Sequence, residues 1–108
     1  MMTIVTHVTL HPGSEPEWDE AMRERLAAAR GRQGWIGGQL LMPLDGLSKR
    51  VIIGCWMTRA DWEAWHNDPA FLKTRRRLEG LEAEPARSWW HEVLADARPP
   101  AIPLGAAA

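Results

Sequence analysis

The chain has 108 residues, of which 45% are hydrophobic and 25% are charged, and its formal net charge is −1. This length and composition predict one globular domain. Without a basic excess there is little to neutralise phosphates, which argues against a nucleic-acid partner, and no apolar run is long enough to cross a bilayer, so no membrane partner is expected. The single cysteine allows no internal disulfide, and the N-terminus lacks a signal-peptide pattern. Both features predict a cytoplasmic protein.

The first half of the chain predicts a strand, a helix and a pair of strands. Residues 3–10 are rich in β-branched side chains, which favours a strand. Ser14 begins a Ser-x-x-Glu capping box, and the helix that it starts is predicted to end at Gly31. Residues 34–43 and 49–57 are predicted to be strands that a tight turn joins into a hairpin.

Two features of this hairpin bear on the architecture. The pair Gly37-Gly38 indicates a bulge, or a place where another group approaches the backbone closely. The strand at residues 49–57 is apolar on both of its faces, which is typical of a strand that is buried on both sides.

The second half of the chain predicts a broken helix and a last strand. Thr58 and Asp68 are predicted N-caps, and Asp68 is followed by a proline at the first helical position. These caps predict helices at residues 59–66 and 69–78, and the last strand is predicted at residues 87–94.

The resulting order, β-α-β-β-α-β, predicts an α+β, ferredoxin-like fold. Its four-stranded antiparallel sheet carries the helices on one face. The folded domain is expected to span residues 1–95, and residues 96–108 form a Pro/Ala-rich tail. Because the helices cover only one face of a sheet that is apolar on both, we expect a homodimer that forms through the sheet face.

The segment from Cys55 to Phe71 carries a family resemblance. A tryptophan ends the strand, an acidic and aromatic helix follows, and a polar break precedes an apolar start of the next helix. These features are Trp56, Asp61-Trp62-Glu63-Ala64-Trp65, His66-Asn67-Asp68 and Pro69-Ala70-Phe71. With this pattern and this order of elements, the chain resembles the antibiotic biosynthesis monooxygenase domain, whose members are dimeric α/β barrels with a ferredoxin-like fold.

The resemblance implies oxygen chemistry. The family includes cofactor-free oxygenases of polycyclic phenols and quinols, haem-degrading enzymes and members with no assigned chemistry. The leading interpretation is a small homodimeric monooxygenase that uses no cofactor. It would oxidise a flat phenolic, quinol-type or polyketide-like aromatic substrate with molecular oxygen as co-substrate. A haem-degrading monooxygenase of the same fold and a non-catalytic dimeric stress or binding protein are the alternatives.

Two positions weigh against haem. The haem-degrading branch uses an asparagine on the first strand and an axial histidine on the second helix, whereas the chain aligned by eye has His7 and Arg75 there. A guanidinium stays protonated and has no lone pair to offer iron. His66 follows Trp65 directly and is expected to point away from the face that Trp65 occupies.

Three residues are candidates for catalysis. His7 lies in the middle of the first strand and is expected to face the helices as a base; the alternative is a buried, hydrogen-bonded histidine. The resemblance favours Trp65 as a wall of the pocket. Arg75 lies among apolar residues of its helix and could hold an anionic substrate oxygen, pair with a glutamate or extend to the surface.

Five residues are candidates for substrate binding: Trp62, Trp56, Asn67, Phe71 and His91. The flat rings could stack on an aromatic ligand, but core packing is the favoured explanation of Trp56 and Trp62. A role in a turn explains Asn67, and His91 belongs either to the pocket or to the dimer face. No set of metal ligands is expected.

Overall fold

The structure, a computed structural model, describes residues 1–98, so most of the predicted tail, residues 99–108, lies outside the described residues. Within that range the elements are β1 (Met2–Thr9), α1 (Glu15–Ala29), β2 (Trp35–Leu41), β3 (Lys49–Trp56), α2 (Arg59–His66), α3 (Pro69–Leu78) and β4 (Arg87–Glu92). The predicted order is confirmed, including the break between α2 and α3. None of these helices has the length and apolar composition needed to cross a membrane.

The strands form one antiparallel sheet in the order β2-β3-β1-β4. Val5 of β1 pairs with Ile53 of β3 and with Trp89 of β4, so these three side chains lie on one face of the sheet. Ile4, the neighbouring residue, lies on the opposite face, where the helices pack. This arrangement confirms the ferredoxin-like α+β fold.

The core lies between the sheet and the helices in two apolar clusters. One consists of Val8, Leu10, Trp18 and Met22, and the other of Ala29, Trp56, Trp65 and Phe71. The first cluster holds α1 on the sheet, and the second joins the end of α1 to β3, α2 and α3. Each fully buried apolar side chain contributes about 2 kcal/mol relative to its exposure to water.

The predicted caps of the broken helix are confirmed. The hydroxyl of Thr58 accepts a hydrogen bond from the backbone N–H of Asp61 at 3.1 Å, and a carboxylate oxygen of Asp68 accepts one from the N–H of Ala70 at 2.9 Å. Gly34 lies against the start of α2 with a φ of +81°, and a Cβ atom there would be 2.2 Å from the carboxylate of Asp61. Only glycine fits this close approach.

Ser14 is the N-cap residue of α1, as predicted, but the predicted capping box is wrong. Ser14 precedes the helix, but its side chain makes no capping hydrogen bond. Its hydroxyl lies instead near the carbonyl oxygens of His11, at 2.7 Å, and Leu81, at 2.9 Å, and has donor geometry toward both. The competing acceptor of Leu81 comes from a distant part of the chain, which local sequence does not reveal.

The face of the sheet opposite the helices carries apolar side chains, as predicted. Val5, Val51 and Ile53 are half-buried there, and the side chain of Trp89 is 48% exposed. Within residues 1–98 every helix packs on the other side. We call this surface the open face.

Candidate active site

A cavity of about 180 Å³ lies between the sheet and the helices and is open to solvent on one side. Five of the residues that line it have large aromatic side chains: Trp35, Trp56, Trp62, Trp65 and Phe71. Its polar lining consists of Thr6, Arg25, His66 and Ser88. The cavity therefore combines flat apolar surfaces, suited to an aromatic ligand, with a few polar groups that could orient it.

The tryptophans pack against one another around the cavity. The ring centroids of Trp35 and Trp56 are 5.0 Å apart in an edge-to-face arrangement, and those of Trp65 and Phe71 are 5.7 Å apart. The structure thus brings three of the five predicted substrate-binding residues, Trp56, Trp62 and Phe71, into one cavity with Trp65, a predicted catalytic residue. Trp56 and Trp65 also belong to the core, so each of these residues both packs in the interior and lines the cavity.

Trp35 is a wall residue that the sequence analysis missed. A bulge between Trp35 and Gly37 shifts the register of β2 against β3. A Cβ atom on Gly38 would lie 2.7 Å from Cη2 of Trp35, so the indole lies directly over this glycine. The glycine pair was the available signal, because it predicted a bulge or a close approach but not which group approaches.

His66 lies in the cavity, and the expectation that it points away is wrong. Its Nδ1 is 2.9 Å from the carbonyl oxygen of Trp62, one turn earlier in α2. A carbonyl only accepts hydrogen bonds, so Nδ1 carries the proton and Nε2 keeps its lone pair. The imidazole lies between two rings, with centroids 3.7 Å from Trp62 and 4.1 Å from Phe71. The cavity therefore contacts the surface of α2 at Trp62, Trp65 and His66.

The surroundings of His66 favour its neutral form. Burial lowers its pKa below the ordinary value of 6.5, since a charged imidazole would lose hydration. The hydrogen bond to Trp62 opposes this effect, and the positive charges of Arg25 and Arg75 add to it. At neutral pH the ring is therefore a base with a free nitrogen.

Arg25 is the second polar residue that the sequence analysis missed. Its guanidinium carbon lies 4.1 Å from the centroid of the Phe71 ring, and its Nε donates to Oγ1 of Thr74 at 2.9 Å. The Thr74 hydroxyl in turn donates to the carbonyl oxygen of Phe71 at 2.8 Å. Burial lowers the pKa of Arg25 to about 10, which still leaves the side chain charged at neutral pH.

The two histidines predicted on strands lie outside this cavity. His7 is exposed on the open face, where its ring contacts Trp89 edge to face at 5.2 Å, and His91 lies beside them. The expectation that His7 faces the helices is therefore wrong. Sequence alternation separates the two faces of β1 correctly, but packing against α1 selects the face of Ile4 and Val8 for the helices.

Two further candidates also lie outside the cavity. Arg75 is exposed on α3 and does not contribute to the wall. Asn67 is exposed at the end of α2, where its side-chain amide donates to the carbonyl oxygen of Glu63 at 3.0 Å. It acts as a helix-terminal residue, as the turn interpretation expected. Within residues 1–98, no group of three or more histidine, cysteine or acidic side chains is arranged to hold a metal ion.

Comparison with known proteins identifies the family. The family model described as antibiotic biosynthesis monooxygenase matches residues 1–77. The chain belongs to this family. The resemblance drawn from the segment between Cys55 and Phe71 is thereby confirmed.

Individual relatives of the chain differ in their described activities. The chain is 27% identical over 66 residues to a haem oxygenase (mycobilin-producing) of Mycobacterium tuberculosis, a match that spans 61% of the chain and 63% of that relative. A solved structure from Nitrosomonas europaea, assigned to the antibiotic biosynthesis monooxygenases, is 19% identical with a TM-score of 0.83 and covers 88% of this chain and 100% of that one. SnoaB of Streptomyces nogalater, a cofactor-independent oxygenase, is 19% identical to this chain, with a TM-score of 0.77. The match covers 88% of this chain and 94% of the SnoaB chain. At these identities the two structures show the shared fold.

Proposed function

We propose that this protein is a cofactor-independent monooxygenase that oxidises a flat phenolic or quinol-type aromatic compound with molecular oxygen. One observation supports the proposal above the others. A neutral histidine with a free Nε2 lies in an aromatic cavity, between Trp62 and Phe71. Such a site can shield a flat substrate ring from water and remove a proton from the substrate hydroxyl. The reaction requires both of these steps from the protein.

The chemistry begins with proton transfer from the substrate hydroxyl to Nε2 of His66. The resulting anion passes one electron to O₂, and the radical pair combines to form a peroxide on the ring carbon. Loss of water from the peroxide leaves a carbonyl, so one oxygen atom stays on the substrate and the other leaves in water. The tryptophan walls keep solvent from the anion and hold the ring in place.

We infer that a second copy of the chain covers the open face. Val5, Val51 and Ile53 form an apolar surface there beside a half-exposed Trp89, and a small domain gains stability by burying such a surface. Light scattering after size-exclusion chromatography tests this inference. Trp89→Glu is expected to give a folded monomer, and Leu94→Glu, in a side chain that is 93% exposed beyond β4, a dimer. A wild-type monomer at micromolar concentration would contradict the inference.

The single cysteine bears on the cellular compartment of the protein. Cys55 is free and buried within the sheet. We propose a cytoplasmic protein, because reducing conditions keep such a thiol unpaired.

Oxygen uptake by the purified protein tests the proposed function. With a benzoquinol and with a naphthoquinol as substrates, we expect uptake without added metal or flavin. His66→Gln is expected to lower the rate about 100-fold, the size of a general-base contribution. His11→Gln is the matched control, because His11 is exposed and does not line the cavity. An absence of uptake with every such substrate would contradict the proposal.

The relative from Mycobacterium tuberculosis makes haem the second candidate. The free Nε2 of His66 is a nitrogen of the type that binds haem iron, but the volume of the cavity is small for the cofactor. An engineered cavity of about 150 Å³ holds one benzene, and a porphyrin is far larger than the ring or two that about 180 Å³ admits. Arg75, in the position aligned with the axial ligand, is exposed and has no lone pair to offer. Titration with haemin is therefore expected to give no saturable Soret shift, and a stoichiometric shift would favour haem chemistry.

A non-catalytic dimeric binding or stress protein is the third candidate. A filled interior would have favoured it, whereas the cavity next to His66 favours a site. Binding of an aromatic ligand without oxygen uptake would support this candidate over the first.

A further inference from the structure

The terminal nitrogens of Arg25 have no hydrogen-bond acceptor among residues 1–98. The side chain is anchored through Nε alone, which donates to the buried hydroxyl of Thr74. Since Arg25 also lines the cavity, its guanidinium carries two unused nitrogens at the border of the candidate active site. A guanidinium uses such a pair of donors to bind oxygen atoms that bear negative charge.

The charge of Arg25 is also uncompensated at close range. Within the described part of the chain, no carboxylate oxygen lies within 4.0 Å of its guanidinium nitrogens. Glu82 attracts it from a greater distance, and burial raises the pKa of that carboxyl. Arg75 repels it. A half-buried charge in this position gains free energy from any anion that reaches it.

We propose that Arg25 binds an ionised oxygen of the ligand, and that the cavity therefore selects aromatic compounds that bind as monoanions. The identity of this ligand as a substrate rests on the proposed function, whereas the anion selectivity does not. The specific chemical class is an aromatic of one or two rings whose hydroxyl is acidified by a conjugated carbonyl, as in hydroxyquinones. Phenols of ordinary acidity would bind less well.

The position of His66 supports this choice of ligand. Proton transfer to His66 creates a second positive charge near Arg25, and this like charge opposes the transfer. An anionic oxygen next to Arg25 offsets both charges at once. A more acidic hydroxyl transfers its proton to His66 more readily, so the two residues together favour acidic hydroxyls over ordinary phenols.

Calorimetric binding of two quinones of nearly the same shape tests the proposal without any turnover. Lawsone is a hydroxynaphthoquinone that is ionised at neutral pH, and its amino analogue, with the hydroxyl replaced, is neutral. The wild-type protein is expected to bind lawsone about tenfold more tightly, the gain typical of a charge-assisted hydrogen bond. Arg25→Gln is expected to bring the two affinities within about twofold, and Arg25→Lys to keep part of the preference, because the lysine retains the charge but not the paired donors.

Arg23→Gln is the matched control, since it removes the same charge from an exposed position on the same helix. It is expected to keep the full preference for lawsone. Equal affinities in the wild type, absence of saturable lawsone binding, or an unchanged preference in a folded Arg25→Gln variant would each overturn the proposal. Lawsone selectivity together with an absence of oxygen uptake would contradict the monooxygenase function. The proposed anion site at Arg25 would still be supported by that result.

Discussion

The Nδ1 atom of His66 lies 2.9 Å from the carbonyl oxygen of Trp62, and this contact fixes which imidazole nitrogen is basic. Trp62 and His66 are four residues apart on one helix, so the hydrogen bond is local. The geometry of α2 itself therefore determines the tautomer of the His66 imidazole. The same spacing places the imidazole against the Trp62 indole, with the ring centroids 3.7 Å apart and the ring planes tilted by 44°. A base and a wall of the cavity thus come from one helical turn.

The first prediction is a pH profile. Activity is expected to fall as pH decreases through a His66 pKa below 6.5, because protonation removes the lone pair of Nε2. The charged groups that lower this pKa are Arg25 on α1, which lines the cavity with His66, and Arg75 on α3, which acts from outside it. Arg25→Gln is therefore expected to raise the His66 pKa, since it removes a like charge. Proton NMR of the imidazole over the same pH range measures both shifts, and a His66 pKa above 6.5 in the wild type would contradict the prediction.

The second prediction concerns Thr74 as a positioning residue. Thr74→Val keeps the shape of the side chain but removes the acceptor of Arg25 Nε, so the guanidinium is no longer held in one orientation. We expect the preference for lawsone over its amino analogue to drop about fivefold, the value of one hydrogen bond. Thr74→Ser restores the hydroxyl and is expected to restore the preference. A full preference in the valine variant would show that Arg25 needs no anchor.

Much of the fold could be predicted because its signals are local. The caps at Thr58 and Asp68 and the β-branched strands depend on residues close in sequence, and they appear where the pattern placed them. Ser14 shows the limit, since its hydroxyl contacts the carbonyl of Leu81, far along the chain. Local patterns carry no information on such a competing partner.

The candidate site was predicted in part. Trp62, Trp65 and Phe71 belong to the segment with the family pattern, and the cavity brings them together. Arg25 was missed because α1 is polar around it, and only packing against α3 places it over Phe71. His7 was placed on the wrong side because the alternation of β1 defines two faces without saying which face the helices cover.

The third prediction compares two adjacent glycines of β2. A Cβ atom on Gly38 would lie 2.7 Å from Trp35 and 2.8 Å from the carbonyl oxygen of Ile53, whereas one on Gly37 would meet nothing within 4 Å. Gly38→Ala is expected to lower the free energy of unfolding by about 2 kcal/mol and to weaken lawsone binding, because overpacking displaces the Trp35 wall. Denaturant unfolding and calorimetry measure the two effects. Gly37→Ala is the control, and equal losses in both variants would contradict the close approach of Trp35.

The fourth prediction concerns the ion pair that ties α1 to the sheet. Arg50 is 5% exposed, and its Nε and Nη2 donate to the two carboxylate oxygens of Asp19 at 2.8 and 3.0 Å. Asp19→Ala leaves this buried guanidinium without its carboxylate, so we expect the free energy of unfolding to fall by about 3 kcal/mol.

The exposed pair of Arg59 and Glu63 on α2 provides the comparison. Its side chains are 60% and 58% exposed, so Glu63→Ala is expected to cost less than about 0.5 kcal/mol. Denaturant unfolding of both variants at one ionic strength measures the difference. Because the pair with Asp19 is buried and the pair with Glu63 is solvated, added salt should weaken only the second. Similar losses in the two variants would contradict the prediction that the buried pair contributes more to stability than the exposed one.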